Sequence, residues 1–265
     1  MSVIPLSAWD LAIAAGLVLV LAALSWHLKL GQERQLLVAA ARSTVQLGLL
    51  GLVLKVIFAQ QAFGWVALLW FFMLAAAGWE VLARQRRRYR GWWGYGIGSM
   101  SMFLSSFSVT ILALIVMINA EPWFLPQYSI PLLGMLLGNT MTGVAVSLDN
   151  LTRGAWDNRG AIEARLMLGH DWHAAIGDLR REALRSGLIP IVNAMTAAGI
   201  VSLPGMMTGQ ILAGSPPLEA AKYQLLILFL IAAGTGLGST AALWIGSERL
   251  FDDRQRLRLD RLREE

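Results

Sequence analysis

Residues 129–149, SIPLLGMLLGNTMTGVAVSLD, contain a single charged side chain, that of Asp149. A helix needs about 20 mainly apolar residues to cross the roughly 30 Å hydrocarbon core of a bilayer, so this stretch predicts a membrane-spanning helix. Similar blocks recur along the chain. Together they predict seven spans, at about residues 8–27, 36–58, 62–82, 96–118, 129–149, 187–211 and 222–246.

The composition also indicates an all-α, polytopic membrane helix bundle. Hydrophobic residues make up 56% of the 265 residues and charged residues only 15%, as is typical of membrane proteins. The longest polar connection, residues 150–186, is too short to enclose a hydrophobic core of its own. We therefore expect a single transmembrane domain over residues 1–265. The absence of cysteine excludes disulfides and thiolate-bound metal sites.

Basic residues predict how the chain is oriented in the membrane. Connections rich in Lys and Arg alternate with connections almost free of them, and the rich regions are residues 29–34, 84–90, 150–186 and the tail 249–265. Because such residues favour the cytoplasmic side, we expect the N-terminus outside and the C-terminus in the cytoplasm. The net charge of +5 then reflects topology and contact with membrane lipid, and no nucleic-acid partner is expected.

The cytoplasmic connection 150–186 has a helical pattern of its own. Residues 161–171, AIEARLMLGHD, are mostly helix formers, and Gly169 interrupts them. A second helical pattern runs from Trp172 to about Arg185. The sequence therefore predicts a helix, a turn and another helix. Their apolar stripes require a surface, which is either lipid headgroups, their own bundle, or a partner protein docked from the cytoplasm.

One part of this connection resembles a known coupling motif. The residues Glu163, Ala164, Arg165 and Leu166, with Gly169 following, resemble the "EAA" loop of ABC-transporter permeases. That loop inserts into a groove on the ATP-hydrolysing subunit. Arg165 stands where the motif usually has its second alanine. The resemblance implies that these five residues couple the chain to an ATPase, whose rigid-body movement a short fixed helix can pass on.

Three further segments make the resemblance more specific. They are RSTVQL at 42–47, GNTMTG at 138–143 leading into SLDNL at 147–151, and SLPGMMTGQIL at 202–212. These segments resemble the bacterial Fet-type permease family, which is assigned to iron export and is related to plant aluminium-tolerance half-transporters. The resemblance implies the permease subunit of an ABC exporter in the bacterial inner membrane. It also implies pairing with a second copy and a separate ATPase subunit that binds ATP and Mg²⁺.

The chain itself has no nucleotide-binding motif, so we expect a transport subunit and not an enzyme. Its nearest match to G-x-x-x-x-G-K-[ST], residues 234–240, lacks the lysine and lies inside the last predicted span. There, Gly234 and Gly238 have the G-x-x-x-G spacing of a close helix contact. The alternative function is an ion-coupled secondary transporter without an ATPase partner. Such a transporter would need buried carboxylates or an internal repeat, and neither is clear in this sequence.

Polar residues inside the predicted spans are candidates to line a translocation path, because they are costly in lipid. The candidates are Arg42, Gln46, Ser105, Asn139, Thr142, Asp149 and Asn193. On the fifth span, Asn139, Thr142 and Asp149 share one helix face. The alternative is ordinary hydrogen bonding between helices and, for Arg42, snorkelling towards the interface.

A proline–glycine pair predicts an irregularity in the sixth span. Pro204 and Gly205 should break the helix near its outer end, and irregular backbone at that depth must face protein or a cavity. We therefore expect a gate or re-entrant turn at residues 203–210, with candidate gate residues Pro204, Gly205, Met206, Met207 and Gln210. No metal ligands are assigned, because the three histidines lie at a span end or in the loop. Iron as substrate follows from the family resemblance alone.

Overall fold

The computed structural model describes residues 7–60 and 62–263. Most of these residues are helical, and their only extended pairings are isolated bridges. Contacts divide the chain into two compact units. One comprises residues up to 62 together with 212–215, and the other comprises the remainder. Within these described ranges, six helices are long and apolar enough to cross a membrane, so the predicted all-α membrane architecture is confirmed.

The first unit is a hairpin of two long helices, α1 (Ala8–His27) and α2 (Glu33–Gln60), which pack against each other. Ser7 and Asp10 form a reciprocal cap at the start of α1, since the side chain of each accepts a hydrogen bond from the backbone N–H of the other. Gly31, between the helices, has a φ of +69°, a left-handed conformation that glycine adopts without strain.

The second unit is a bundle built around one long central helix. Its helices are α3 (Phe63–Arg84), α4 (Trp92–Ile118), α5 (Pro126–Asp157), α6 (Arg159–Met167), α7 (Trp172–Ala175), α8 (Gly177–Ala197), α9 (Gly205–Leu212) and α10 (Pro217–Arg249). The central helix α5 packs against α3, α8 and α10. A buried apolar cluster from α4, α5, α8 and α10 includes Leu114, Leu136, Ile191 and Ile231.

Glycines bring these helices into direct backbone contact. A Cβ on Gly143 of α5 would lie 3.0 Å from the carbonyl oxygen of Gly187 of α8, and a Cβ on Gly187 would lie 2.7 Å from that of Gly143. No larger residue fits there without displacing a backbone. On α10, a Cβ at Gly238 would lie 2.7 Å from the Ser105 hydroxyl oxygen. The G-x-x-x-G spacing therefore does mark a close helix contact.

The predicted sixth span, residues 187–211, is not one helix. Helix α8 begins earlier, at Gly177, and runs through Pro190 to Ala197. Its first half carries several charged residues, so α8 is not among the six helices that qualify as spans by length and hydropathy. The prediction of seven long apolar spans is corrected in this respect. Sequence reasoning divided this helix between the polar helical pattern that ends at about Arg185 and a span that begins at residue 187, whereas α8 runs through that boundary.

The predicted irregularity at 203–210 exists but is displaced toward the N-terminus and overlaps the prediction only at residues 203–204. The chain turns at residues 198–204, where Gly199 has a φ of +82° and its N–H donates to the Ser202 carbonyl oxygen at 2.9 Å. Pro204 ends this turn and Gly205 begins α9. Proline is tolerated at this position because it has no N–H, and a backbone N–H at the start of a helix would have no partner within the helix. Four gate candidates, Gly205, Met206, Met207 and Gln210, are therefore helical. Their role as a gate stays a prediction.

Candidate functional site

The segment that resembles a coupling loop forms the α6–α7 element, residues 159–176. It turns at Gly169, which has a φ of +88° and open space where a Cβ would stand. Asp171 caps α7, because its carboxylate accepts a hydrogen bond from the Ala174 N–H at 2.8 Å. The interruption at Gly169 thus lies where the sequence predicts it, while the second helical stretch divides into α7 and the start of α8.

One side of the α6–α7 element packs against its own bundle. Ile162 is 4% exposed and Ile176 is fully buried. Leu179, near the start of α8, contacts Gly154 of α5, where any Cβ would clash with the leucine side chain. Of the three surfaces considered for these apolar stripes, the structure shows contact with the protein's own bundle, at the end of α5.

Arg165 fixes α6 to the helices that follow it. Its Nη1 donates to the Ala175 carbonyl oxygen at 3.1 Å and to the Asp178 carboxylate at 3.3 Å. Asp178 also accepts from Arg181 at 2.5 Å, and this hydrogen bond and the charges of Arg181 and Arg165 lower the pKa of Asp178. Arg165 stands where the coupling motif usually has alanine, and here it acts as an internal brace.

The other side of the α6–α7 element is exposed and apolar at its end. Met167 is 83% exposed and Leu168 is 80% exposed, directly before the turn at Gly169. Glu163, one helical turn before Met167, pairs with Arg159 on the same helix at 2.8 Å. Exposed large apolar side chains grouped together are characteristic of interaction surfaces. This end of α6 is the strongest candidate contact surface on the element.

The C-terminal segment, residues 250–263, lies directly beside this element. Phe251 stacks on Trp172 with ring centroids 5.4 Å apart, and the Gln255 side-chain oxygen accepts from the backbone N–H of Trp172 at 3.2 Å. The tail is basic, as the sequence shows, but it is also folded, since Leu250 and Leu262 are almost completely buried. Apolar residues spaced among the arginines could have indicated that this tail folds against the bundle, but sequence reasoning missed this pattern.

A groove of about 790 Å³ lies between the α6–α7 element and the C-terminal segment. It is lined on one side by Glu163, Leu166, Met167, Gly169 and His170, and on the other side by residues 253–257. Three of the five predicted coupling residues therefore face this groove, whereas Ala164 and Arg165 do not line it. The groove and the exposed end of α6 form one continuous surface.

The structure brings two path candidates to the end of α3. The Arg84 guanidinium donates to the Thr142 hydroxyl at 3.3 Å, and the backbone N–H of Arg86 donates to the Asp149 carboxylate at 2.8 Å. The polar face predicted on α5 thus contacts the arginine-rich connection between α3 and α4. Asp149 positions that connection, and its part in a path stays a prediction.

Ser105 and Asn139 lie in different surroundings. Ser105 is 3% exposed, lies against Gly238 and donates to the Ser101 carbonyl oxygen at 2.8 Å. Asn139 is exposed on α5, and its amide donates to the Met135 carbonyl oxygen at 2.8 Å. The structure does not bring these two candidates together.

The remaining path candidates are exposed on their own helices. Asn193 lies on the surface of α8 in the second unit. Arg42 and Gln46 are exposed on α2, in the first unit. Their assignment to a path also stays a prediction.

A buried row of hydroxyls was missed by sequence reasoning. Thr140 and Ser147 on α5, with Thr235 and Ser239 on α10, are at most 2% exposed. Their hydroxyl oxygens have no hydrogen-bond partner within the described part of the chain, and a buried polar group left in this state costs about 1–3 kcal/mol. The spacing within each pair, seven residues from Thr140 to Ser147 and four from Thr235 to Ser239, places its members on one helix face and could have revealed them from the sequence. Helices α5 and α10 thus both carry buried hydroxyls without a partner among the described residues.

Comparison with known proteins gives relatives along nearly the whole chain. The model of Uncharacterised protein family UPF0014 matches residues 8–251. The UPF0014 membrane protein slr1647 of Synechocystis is 38% identical over 242 residues, which is 89% of this chain and 90% of the relative. The Probable iron export permease protein FetB of Escherichia coli is 31% identical over 261 residues, or 96% of each chain.

A plant relative has similar coverage. Protein ALUMINUM SENSITIVE 3 of Arabidopsis thaliana is 34% identical over 234 residues, 88% of this chain and 84% of the relative. No solved structure matches the chain. The resemblance to Fet-type permeases inferred from the sequence motifs is thus confirmed, and the chain, a multi-pass membrane protein, belongs to the UPF0014 family.

Proposed function

We propose that this chain is the permease subunit of an ABC exporter and that a separate ATPase subunit docks on its α6–α7 element. The observation that carries the proposal is the exposed pair Met167 and Leu168, at the end of a helix whose opposite side is fixed to the bundle. A docked subunit would cover the apolar pair. Its movement would reach the membrane core through α8, which begins at Gly177, directly after the α6–α7 element.

ATP hydrolysis belongs to the partner in this proposal. The partner binds ATP and Mg²⁺, and this chain acts as a transport subunit without catalytic residues of its own. The relative named a permease in E. coli supports this division of labour. A secondary transporter without an ATPase is the alternative, and the experiment below distinguishes the two.

Contacts in the second unit support five crossings there, which make seven with α1 and α2, and the proposal places the basic end in the cytoplasm of an inner-membrane protein. The connection between α3 and α4, the α6–α7 element and the C-terminal segment meet at one end of this unit. Helix α8 leaves that end and α10 returns to it, so residues 177–216 must lead across. Ile191 of α8 already packs with Ile231 in the far half of α10. Basic residues at the shared end favour its cytoplasmic placement, with the N-terminus outside.

Iron as substrate and a second copy of the chain complete the proposal. Iron is taken from the name of the E. coli relative, since no group of three or more His, Cys, Asp or Glu is placed to hold a metal ion among the residues described. Asn139 and Asn193 are exposed on membrane helices of a lone protomer, where contact with lipid is costly. A second copy covering them would remove that cost and enclose a path between the two protomers.

The test is affinity purification from the native membrane in mild detergent, with identification of the copurifying proteins by mass spectrometry. The proposal expects a stoichiometric protein that carries a Walker-A lysine, and transport that stops when that lysine is replaced. A permease that is purified alone, even after crosslinking in intact membranes, would overturn the proposal and favour the secondary transporter.

A further inference from the structure

The C-terminal segment is held in place by main-chain pairing with the arginine-rich connection between α3 and α4. The Arg90 N–H donates to the Arg261 carbonyl oxygen and the Arg263 N–H donates to the Arg88 carbonyl oxygen, both at 2.8 Å. These bonds use only backbone atoms, so they do not require the arginine side chains. The pairing fixes the last residues of the segment to the bundle.

A buried tyrosine supports the same junction from inside. Tyr89 is 2% exposed, and its hydroxyl donates to the Gly246 carbonyl oxygen of α10 at 2.8 Å. Burial raises the pKa of Tyr89, so the hydroxyl stays protonated and can donate at any physiological pH. The segment therefore starts from a fixed point at the end of α10.

The part of the segment that faces the groove is itself a fixed turn. The Asp252 carboxylate accepts hydrogen bonds from the side chain of Arg256 at 2.9 Å and from the backbone N–H groups of Arg256 and Arg254 at 2.9 and 3.0 Å. These bonds hold the pKa of Asp252 at about 2. The turn presents the exposed side chains of Asp253 and Arg254 to the groove, and Gln255, which also lines the groove, accepts a hydrogen bond from the backbone N–H of Trp172.

From this arrangement we infer that the turn at residues 252–257 is a second docking wall for the ATPase subunit, facing α6 across the groove. The inference rests on the proposed function and adds a specific part of the partner's binding site to it. Two observations point to the ATPase as occupant. The groove is continuous with the exposed Met167, and both of its walls are fixed to helices that enter the membrane bundle. A subunit seated between them would act on α8 and α10 together.

The test uses the absence of cysteine in this sequence. A single cysteine is placed at Met167, Arg254 or Arg263, labelled with a benzophenone maleimide and photo-crosslinked in native membranes. Products are identified by peptide sequencing. In parallel, Arg254→Glu and Arg263→Glu are compared for the amount of ATPase that copurifies. The two substitutions make the same charge change in the same segment, but only Arg254 lines the groove.

The inference expects crosslinks to a Walker-A protein from positions 167 and 254 and none from position 263. It also expects at least a fivefold loss of copurifying ATPase in Arg254→Glu, with Arg263→Glu unchanged. Crosslinks from position 167 alone, with full copurification of Arg254→Glu, would overturn the inference and leave the proposed function intact. A crosslink from position 254 to a second copy of this chain would also overturn it. If no position captures a Walker-A protein, the proposed function fails and the inference fails with it.

Discussion

At the scale of single residues, the coupling motif divides into side chains that hold the α6–α7 element together and side chains that face outward. Arg165 bonds to Ala175 and Asp178 and so belongs to the first group. Met167 and Leu168 are exposed and belong to the second. The motif resemblance assigns one coupling role to its whole segment, because a sequence pattern does not show which side of a helix packs against the protein itself.

Gly169 gives the most direct test of the docking element. Its φ of +88° is far from the roughly −65° that proline imposes, so Gly169→Pro should displace Met167 and abolish ATPase copurification. Gly169→Ala is the matched control. It meets no steric clash and costs only about 1–2 kcal/mol of backbone strain, so most of the ATPase should remain bound. Equal retention by both variants would show that the turn does not present the docking surface.

Glu163 tests the charge on the groove wall. In the native chain, Glu163 pairs with Arg159 one helical turn away. Glu163→Lys would place two positive charges there, and we expect it to abolish ATPase association without loss of membrane insertion. Glu182→Lys is the control, since Glu182 also pairs with an arginine on its own helix but lies outside the groove. Copurification from solubilised membranes, normalised to the amount of inserted permease, measures both.

Asp252 tests whether the C-terminal turn is held by its carboxylate. Hydrogen bonds to the ionised Asp252 lower its pKa to about 2. The stability that the ionised carboxylate gives to the turn is therefore complete above the ordinary carboxyl pKa of about 3.9, and it is lost as the pH falls from there through about 2. The turn should therefore keep its structure across the physiological range. Asp252→Asn should make the arginines at 254 and 256 several-fold more sensitive to limited trypsin digestion. Asp253→Asn, at an exposed neighbour without these hydrogen bonds, should leave the rate unchanged.

At the scale of elements, hydropathy locates six of the seven predicted spans, because a single apolar block of the right length specifies each of them. It fails at α8, where half of the helix is charged and only its packing against α5 and α10 makes it part of the bundle. The candidate site follows the same rule. The turn at Gly169 is local and predictable, whereas the wall at 252–257 depends on long-range pairing with the α3–α4 connection.

The backbone contact between α5 and α8 leads to a prediction about packing. Gly143→Val should destabilise the bundle by about 1–3 kcal/mol, because its side chain would meet the Gly187 carbonyl oxygen and the Ser239 hydroxyl. Gly138→Val, on the same helix, has open space and should have little effect. Thermal unfolding of the two purified variants in one detergent measures the difference. A similar loss of stability in both would attribute the effect to valine in the helix and not to the contact.

At the scale of the whole molecule, the ends of α3, α5 and α10 meet the docking element on one side of the second unit. A partner bound there would contact the bundle at several helices and not at one loop. Such an arrangement suits a mechanism in which ATP hydrolysis moves helices as rigid bodies. It also requires that residues 177–216 cross the membrane, although half of α8 is too polar to be recognised as a span.

Topology is therefore the decisive prediction for the whole chain. Single cysteines at positions 90, 167 and 254 should react with a membrane-impermeant maleimide only in inside-out vesicles, and cysteines at 121 and 213 only in right-side-out vesicles. Position 213 carries the argument, because it follows α9 and precedes α10. Labelling of position 213 from the outside requires residues 177–212 to span the bilayer and gives seven crossings. Labelling from the same side as position 167 would make this segment re-entrant, and α10 could then no longer bring its C-terminal end back to the docking element.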